Sequence, residues 1–352
     1  MGYYSCDDSS ETLYGAWGSE ECEENATGYA AATSLVGVIG TFNSGCTRIE
    51  LPILNQAPGG GLALVSPFNL APCLTRKVFG CARGEPAKYA PSGRRTYARV
   101  SANDTIQGAG LALFARQRGW RRVFVLTEGD SYGRMVAHGF RGAARHLGLN
   151  VVGHRAWDPN ARNYLRLMHV IGETRPDAIV LAGIIDFNGG HLIKEKVAVL
   201  GGNGGPVKLL ASDGFLTPNT FADAGASAKG MFAAFPGRSV GGLPSRGRKF
   251  VADFRERFRA RKVSPHVPAS AQIAALYLKA IAASDGSRTG VLDALFSLRV
   301  ERGLIGSFSI DAYGDPTPAP VTISRAGQRR FTTFGIVKPG RRLVDAAFTR
   351  LG

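Results

Sequence analysis

Several side chains able to hold a small charged molecule sit just past stretches of strand type. Asn43 and Ser44 follow the apolar run Val36-Gly37-Val38-Ile39, and Phe68, Asn69 and Leu70 follow Leu62-Ala63-Leu64-Val65 through Ser66-Pro67. Asp186 follows the run Ala178 to Ala182 and Asp213 follows Val207 to Ala211, while Asp104 and Tyr132 each open a helix-like segment. A hydroxyl and backbone N–H groups at a helix start can meet an anion, and a buried carboxylate can meet a cation through charge-assisted bonds. Groups of this kind at the carboxyl ends of strands describe a ligand cleft, because open α/β sheets bind their ligands there.

Reaction chemistry has no comparable signal. The six histidines, His138, His146, His154, His169, His191 and His266, are scattered, with no His-Glu-x-x-His, Gly-x-Ser-x-Gly or P-loop lysine pattern. The glycine run at 201–205 follows a helix rather than a strand and reads as a loop. Asp7-Asp8 resembles a metal pair, but no His or third carboxylate has matching spacing, and the pair reads as the end of a strand near the cleft rim. No enzyme activity, catalytic residue, cofactor or metal is expected.

The elements that would position the cleft alternate. Strands are predicted at Gly2 to Ser5, Leu35 to Ile39, Leu62 to Val65, Arg122 to Leu126, Asn150 to Gly153, Ala178 to Ala182, Val207 to Ala211 and Gly230 to Ala234. Amphipathic helices are predicted between them at Thr47 to Asn55, Thr105 to Gln117, Tyr132 to Leu147, Tyr164 to Glu173 and Gly189 to Leu200. This rhythm implies α/β architecture with doubly wound parallel sheets covered on both faces. It breaks at Lys77 to Arg95, rich in Gly, Pro and charge, and again at Pro236 to Ser245. Two long helices, Arg246 to Arg261 and Ala269 to Ala283, then come without an intervening strand, which suggests a return of the chain to the first lobe. The runs Pro320 to Ser324 and Phe331 to Val337 could close an antiparallel edge.

With 352 residues and 44% hydrophobic content, two moderate cores are the default. No apolar run approaches the roughly 20 residues that span a bilayer, and Met1-Gly2-Tyr3-Tyr4-Ser5-Cys6 lacks the pattern of an export signal. The net charge of +16 raises nucleic acid as a partner. Its arginines are dispersed on apparently solvated helix faces without a nucleic-acid-binding signature, so a solvated surface is the preferred reading, with weak attraction to anionic lipid or polymer as the residual one. The five cysteines, Cys6, Cys22, Cys46, Cys73 and Cys81, form no Cys-x-x-Cys pair. Cys73 and Cys81 flank a short loop and are paired first. Cys22 could reach Cys46, leaving Cys6 single, and Cys6 could equally take either partner.

Each candidate also has an ordinary structural role. Ser44 could be only a helix N-cap, Asp213-Gly214 only a turn, and Tyr132 a core aromatic. Their co-occurrence at strand ends favours the cleft.

The ordered set Val38-Ile39-Gly40 with Ser44, Val65-Ser66-Pro67, Asp104, Tyr132-Gly133, Asp213-Gly214 and Gly306-Ser307-Phe308 resembles the type I periplasmic binding proteins. Within them it is most similar to the branched-chain amino acid (Leu/Ile/Val) substrate-binding branch of ABC transporters, over nearly the whole chain. The resemblance implies two lobes joined by a three-segment hinge, with 1–103 and 236–303 in lobe 1 and 104–235 and 304–352 in lobe 2. It implies that Ser44 holds the ligand carboxylate, that the backbone at Phe68, Asn69 and Leu70 binds both ends of an amino acid, that Tyr132 shuts over it, and that Asp213 receives its ammonium. Two positions depart from the pattern. Leu70 replaces a threonine, with Asn69 a substitute donor, and Ile184 or Ile185 replaces an aromatic, with Asp186 and Asn188 adding polarity beside it. Amino-acid binding is implied; identity with leucine, isoleucine or valine is not.

Family members begin with a strand and helix ahead of the position of Gly2 to Cys6, and that first strand is central in the sheet order 2-1-3. Lobe 1 is therefore expected to lack its first strand and helix, and the natural chain to carry more N-terminal sequence, holding an export signal or another domain. The function implied is an extracytoplasmic solute-binding protein, periplasmic or extracellular and cell-surface associated, that closes on a small amino acid or amide and delivers it to an ABC permease. The alternative is a ligand-sensing module of a larger signalling or regulatory protein. Nucleic acid is not an expected partner, and membrane association is expected only through a missing N-terminal segment or a partner.

Overall fold

Residues 2–10 and 17–349 are described by the computed structural model of the chain, which falls into two units. The first comprises Met1–Lys77, Cys81–Ser101 and Leu243–Thr317, and the second Val78–Gly80, Ala102–Gly242 and Pro318–Gly352.

The first unit holds β1 (Gly37–Ile39), β2 (Ala63–Ser66) and β3 (Tyr97–Arg99) as a parallel sheet in the order β1-β2-β3. Successive side chains of a strand point to opposite faces, and both faces here are covered. Ala63, Val65, Ala98 and Val100 pack with α9 (His266–Ala282) and α10 (Arg288–Ser297), while Leu62, Leu64 and Tyr97 pack with α1 (Ser19–Ala31) and α2 (Ser44–Asn55). Helix α8 (Ser245–Phe258) and the antiparallel trio β9 (Arg299–Gly303), β10 (Gly306–Ile310) and β11 (Pro316–Thr317) complete the unit.

The second unit is built on seven strands. β4 (Arg122–Thr127), β5 (Asn150–Ala156), β6 (Ala178–Ala182), β7 (Lys208–Ala211) and β8 (Phe232–Phe235) are parallel to one another, and β12 (Val321–Ala326) and β13 (Phe331–Val337) add an antiparallel edge, in the order β13-β12-β8-β7-β6-β4-β5. Val123, Val125, Val180 and Leu210 face one core with α3 (Asp104–Gln117), α4 (Ser131–His146) and α11 (Arg341–Phe348). Phe124, Leu126, Ile179, Leu181 and Leu209 face the other, with α5 (Leu165–Glu173), α6 (Gly189–Leu200) and α7 (Asn219–Ala224). Helices α3 and α4 cross backbone to backbone, because a Cβ on Gly108 would lie 2.1 Å from the Val136 carbonyl and one on Gly139 2.1 Å from the Thr105 carbonyl. Among the described residues no helix is long and apolar enough to cross a membrane.

Three expectations are corrected. Gly2 to Ser5 is not a strand: residues 2–8 are irregular, Tyr3 and Tyr4 are 84% and 79% exposed, and the nearest pairing is an isolated bridge between Ser9 and Trp17. With no face to bury, the segment has nothing to fix it as a strand, and Asp7-Asp8 ends none. Residues 304–317 lie in the first unit, not with lobe 2, because β10 pairs antiparallel with β9, a strand of charged residues without an apolar run. Conversely, 236–242 lie with the second unit, where the Pro236 carbonyl accepts from the Ala102 N–H at 3.1 Å and Thr322 holds Gly237.

Candidate functional site

In the first unit, the chain leaves β1 into the start of α2. Asn43, not Ser44, is the N-cap: its Oδ1 accepts from the Gly45 N–H at 2.7 Å. Ser44 stands one position inside the helix, half-buried, and its Oγ accepts from the Ala71 N–H at 3.3 Å. Leaving β2, Ser66 Oγ donates to the Thr41 carbonyl at 2.7 Å and accepts from the N–H groups of Phe68 and Asn69, which folds the second turn back beside the first.

Asn69 is wholly buried and fully engaged. Its Nδ2 donates to the Thr41 and Phe42 carbonyls at 3.0 and 3.1 Å, and its Oδ1 accepts from Thr47 and Tyr97. The expected use of its amide as a carboxylate donor in place of a threonine is therefore corrected: that amide ties the two turns together. Arg99 holds the same turn from below, donating to the carbonyls of Asn69 and Ala71 at 2.8 and 2.9 Å. Leu70 is half-buried. The open part of this edge is aromatic. Phe42, 58% exposed, stacks on Phe68 at 5.3 Å, and the His266 ring meets Phe68 edge-on at 4.1 Å. Burial lowers the His266 pKa, so the ring is neutral near pH 7.

In the second unit, Asp213 follows β7 and opens a one-turn helix, its carbonyl accepting from the Leu216 N–H at 2.7 Å. Its Oδ1 accepts from Gln107 Nε2 at 2.7 Å and from the Tyr132 hydroxyl, which in turn accepts from the Gly214 N–H at 3.2 Å. Burial raises the Asp213 pKa, and the Tyr132 and Gln107 donors partly offset it. The turn reading of Asp213 thus holds while its carboxylate is aligned by side chains, and Tyr132 is both half-buried against the core and bonded to that carboxylate. Asp186 is not brought into this cluster's hydrogen bonds; it is exposed, with its Oδ1 accepting from Asn219 at 3.4 Å. Ile185 is buried in the core, and Ile184 packs on Gly214.

Two buried polar groups at this edge escape the sequence reading. Gln107 is fully buried, and its Oε1 has no hydrogen-bond partner among the described residues. Glu128, just past β4, accepts from the Gly133 N–H at 3.2 Å through Oε1, while Oε2 is buried without a hydrogen-bond partner among the described residues, and burial pushes the carboxyl up to about 7. Gly183 leaves room for it, since a Cβ there would lie 1.6 Å from Oε2. A glutamine four residues after a helix N-cap, in a run otherwise of small and apolar residues, was the available signal for Gln107.

Cys22 pairs with Cys46, linking α1 to the first turns of α2, and Cys73 pairs with Cys81; Cys6 is free and exposed. Among the described residues, the places where Cys gathers with Asp or Glu are these disulfides, whose sulfurs are not thiolate donors.

A family model described as periplasmic binding protein matches residues 76–328. The fold is similar to that of an ABC transporter substrate-binding protein from Desulfitobacterium hafniense (22% identity, 90% of this chain and 85% of that one, TM-score 0.73). It is also similar to the leucine binding protein LivK from Thermotoga maritima (19% identity, 92% and 85%, TM-score 0.67). A third likeness is an ABC transporter solute binding protein from R. palustris in complex with benzoate (17% identity, 91% and 82%, TM-score 0.62). Comparison with curated proteins gives no match.

Proposed function

We propose, from the premise that this chain belongs to the periplasmic binding protein family and has its type I fold, that it is an extracytoplasmic receptor that captures a small amino-acid-like solute and delivers it to an ABC permease. The observation that carries the reading is the Asp213 carboxylate, fixed by Gln107 and Tyr132 at the carboxyl end of a central strand. The two donors that align this carboxylate are neutral, and a charge-assisted bond to an ammonium is the contact it suits. On the first unit, Ser44 and the N-terminus of α2 suit a carboxylate. The neutral rings of Phe42, Phe68 and His266 suit the apolar part of the solute, and the benzoate held by one structural relative supports an aromatic or bulky side chain. The family's role is binding rather than catalysis, and no reaction is assigned to this chain.

Isothermal titration calorimetry against the common amino acids and aromatic carboxylates tests the proposal. Binding near micromolar, about −8 kcal/mol, that is lost in Ser44→Ala supports it. Absence of heat with every solute, from a folded sample, sinks it.

A further inference from the structure

Helix α8 leaves most of itself uncovered. Of its residues only Gly247 and Val251 are buried, with Gly247 pressed on the Leu304 carbonyl so closely that a Cβ would come within 2.1 Å. Phe250, Phe254 and Phe258 recur every fourth residue and fall within an arc of about 80° at roughly 100° per residue. Their rings touch in series, with centroids 6.1 Å apart for the first pair and 4.6 Å for the second. Phe250 and Phe254 are half-buried, whereas Phe258 is 65% exposed. The stripe starts against the unit's own surface and runs out into solvent over the last turn.

At that end the charge is one-sided. Arg255, Arg257, Arg259, Arg261 and Lys262 are all exposed, with Glu256 the single acid among them. Lys249, earlier on the helix, is paired with Asp253 at 2.9 Å, but none of those five cations forms an ion pair among the described residues.

We propose that the last turn of α8 and residues 259–262 are a docking surface for an anionic lipid bilayer. Five unneutralised cations beside the exposed Phe258 ring and the half-buried Phe254 match a layer of anionic headgroups lying over an apolar interior. The guanidinium groups take the phosphates, and Phe254 and Phe258 enter the headgroup boundary. An acidic protein would supply the charge without a reason for the rings to be exposed. Because the first half of the stripe is already covered, contact is made by the helix tip, and binding is shallow and reversible. The net charge of +16 draws the whole chain to the same surface. This inference is independent of the solute proposed above.

Co-sedimentation of the full chain with vesicles of phosphatidylcholine alone, and with phosphatidylglycerol added, is the test. Partition onto the anionic vesicles should be at least about tenfold stronger and should fall with salt. Phe258→Ser and the double change Arg255→Glu with Arg257→Glu should each weaken it severalfold while circular dichroism and thermal midpoint stay unchanged, since all three side chains are exposed. Equal binding to both vesicle types, or none, overturns the proposal. Loss on charge reversal with Phe258→Ser unaffected also overturns it, because the rings then take no part in the contact.

Discussion

The guanidinium of Arg99 and the carboxylate of Asp315 meet at 2.7 Å with neither side chain more than 1% exposed. Arg99 ends β3, and Asp315 sits in the Gly314-Asp315-Pro316 turn, so the pair clamps a strand end to a turn more than two hundred residues away in the chain. The remaining donors of Arg99 hold the carbonyls of Asn69 and Ala71 and the Thr75 hydroxyl. Ala71 in turn donates to Ser44. A buried ion pair therefore sets the turn on which the proposed carboxylate site depends.

Asp315→Ala leaves a buried guanidinium without its counter-charge and should cost about 3–5 kcal/mol in urea unfolding. The double change Arg99→Met with Asp315→Leu removes both charges and should cost less than the single one. A single variant as stable as the parent would refute the clamp.

Asp213→Asn should separate two classes of solute. It removes the charge offered to an ammonium and should weaken an amino acid by about 2–5 kcal/mol. A carboxylic acid without an ammonium should bind as before. Tyr132→Phe should weaken the amino acid less, by about 1–2 kcal/mol, through the lost bond to Asp213. Calorimetry on both solute types reads the difference, and equal losses for the two solutes would remove Asp213 from the ammonium role.

Two buried carboxyls should contribute a loss of stability as pH rises from about 5 to 8, against the opposite contribution of His138, His154 and His266, whose pKa values burial lowers. Burial raises the carboxyls of Glu50 to about 8 and Glu128 to about 7, from an ordinary 4.5. At these two groups the folded chain holds more protons than the unfolded one across that window, so their contribution is full below 4.5 and declines as pH climbs through the raised values. The full shifts set upper limits of about 5 kcal/mol for Glu50 and about 3 kcal/mol for Glu128, reduced where solvent reaches the group. Denaturation midpoints for Glu50→Gln and Glu128→Gln should lack that residue's loss across the window, and a pH profile unchanged from the parent's would exclude that residue as a source.

Reduction should lower stability by about 3 kcal/mol per disulfide, since both bridges shorten the unfolded chain's options. Alkylation of the folded, unreduced protein should mark Cys6 alone, and peptide mass mapping that finds label on Cys22 or Cys73 would contradict the pairing.

Much of the second unit was legible in sequence because its central strands are apolar and buried on both faces, as in Ala178–Ala182, and a helix such as α4 carries one apolar stripe. The unread elements have other sources of stability. β3 is three residues long and ends in a buried arginine, and β9 is mostly charged, with Val300 alone of its side chains in the core and its pairing supplied by β10. Within the site, Ser44, Tyr132 and Asp213 were visible because each follows a strand or opens a helix. Asn69 was visible as a residue but not in its role, since the bonds that occupy its amide come from Thr41, Phe42, Thr47 and Tyr97, which no local pattern links to it. Gln107 and Glu128 draw their meaning from burial, which spacing does not report.

The glycine crossing of α3 and α4 bears on how this protein could be remade. With Gly108 and Gly139 in backbone contact, the two helices have no side-chain layer in which to slide or rotate. Gln107 and Tyr132, one on each helix, are thereby geared together over Asp213. The three side chains form one unit on a fixed mount: in the proposed solute site, swapping them would retune selectivity, while a single added methyl at Gly108 would throw all three out of alignment at once.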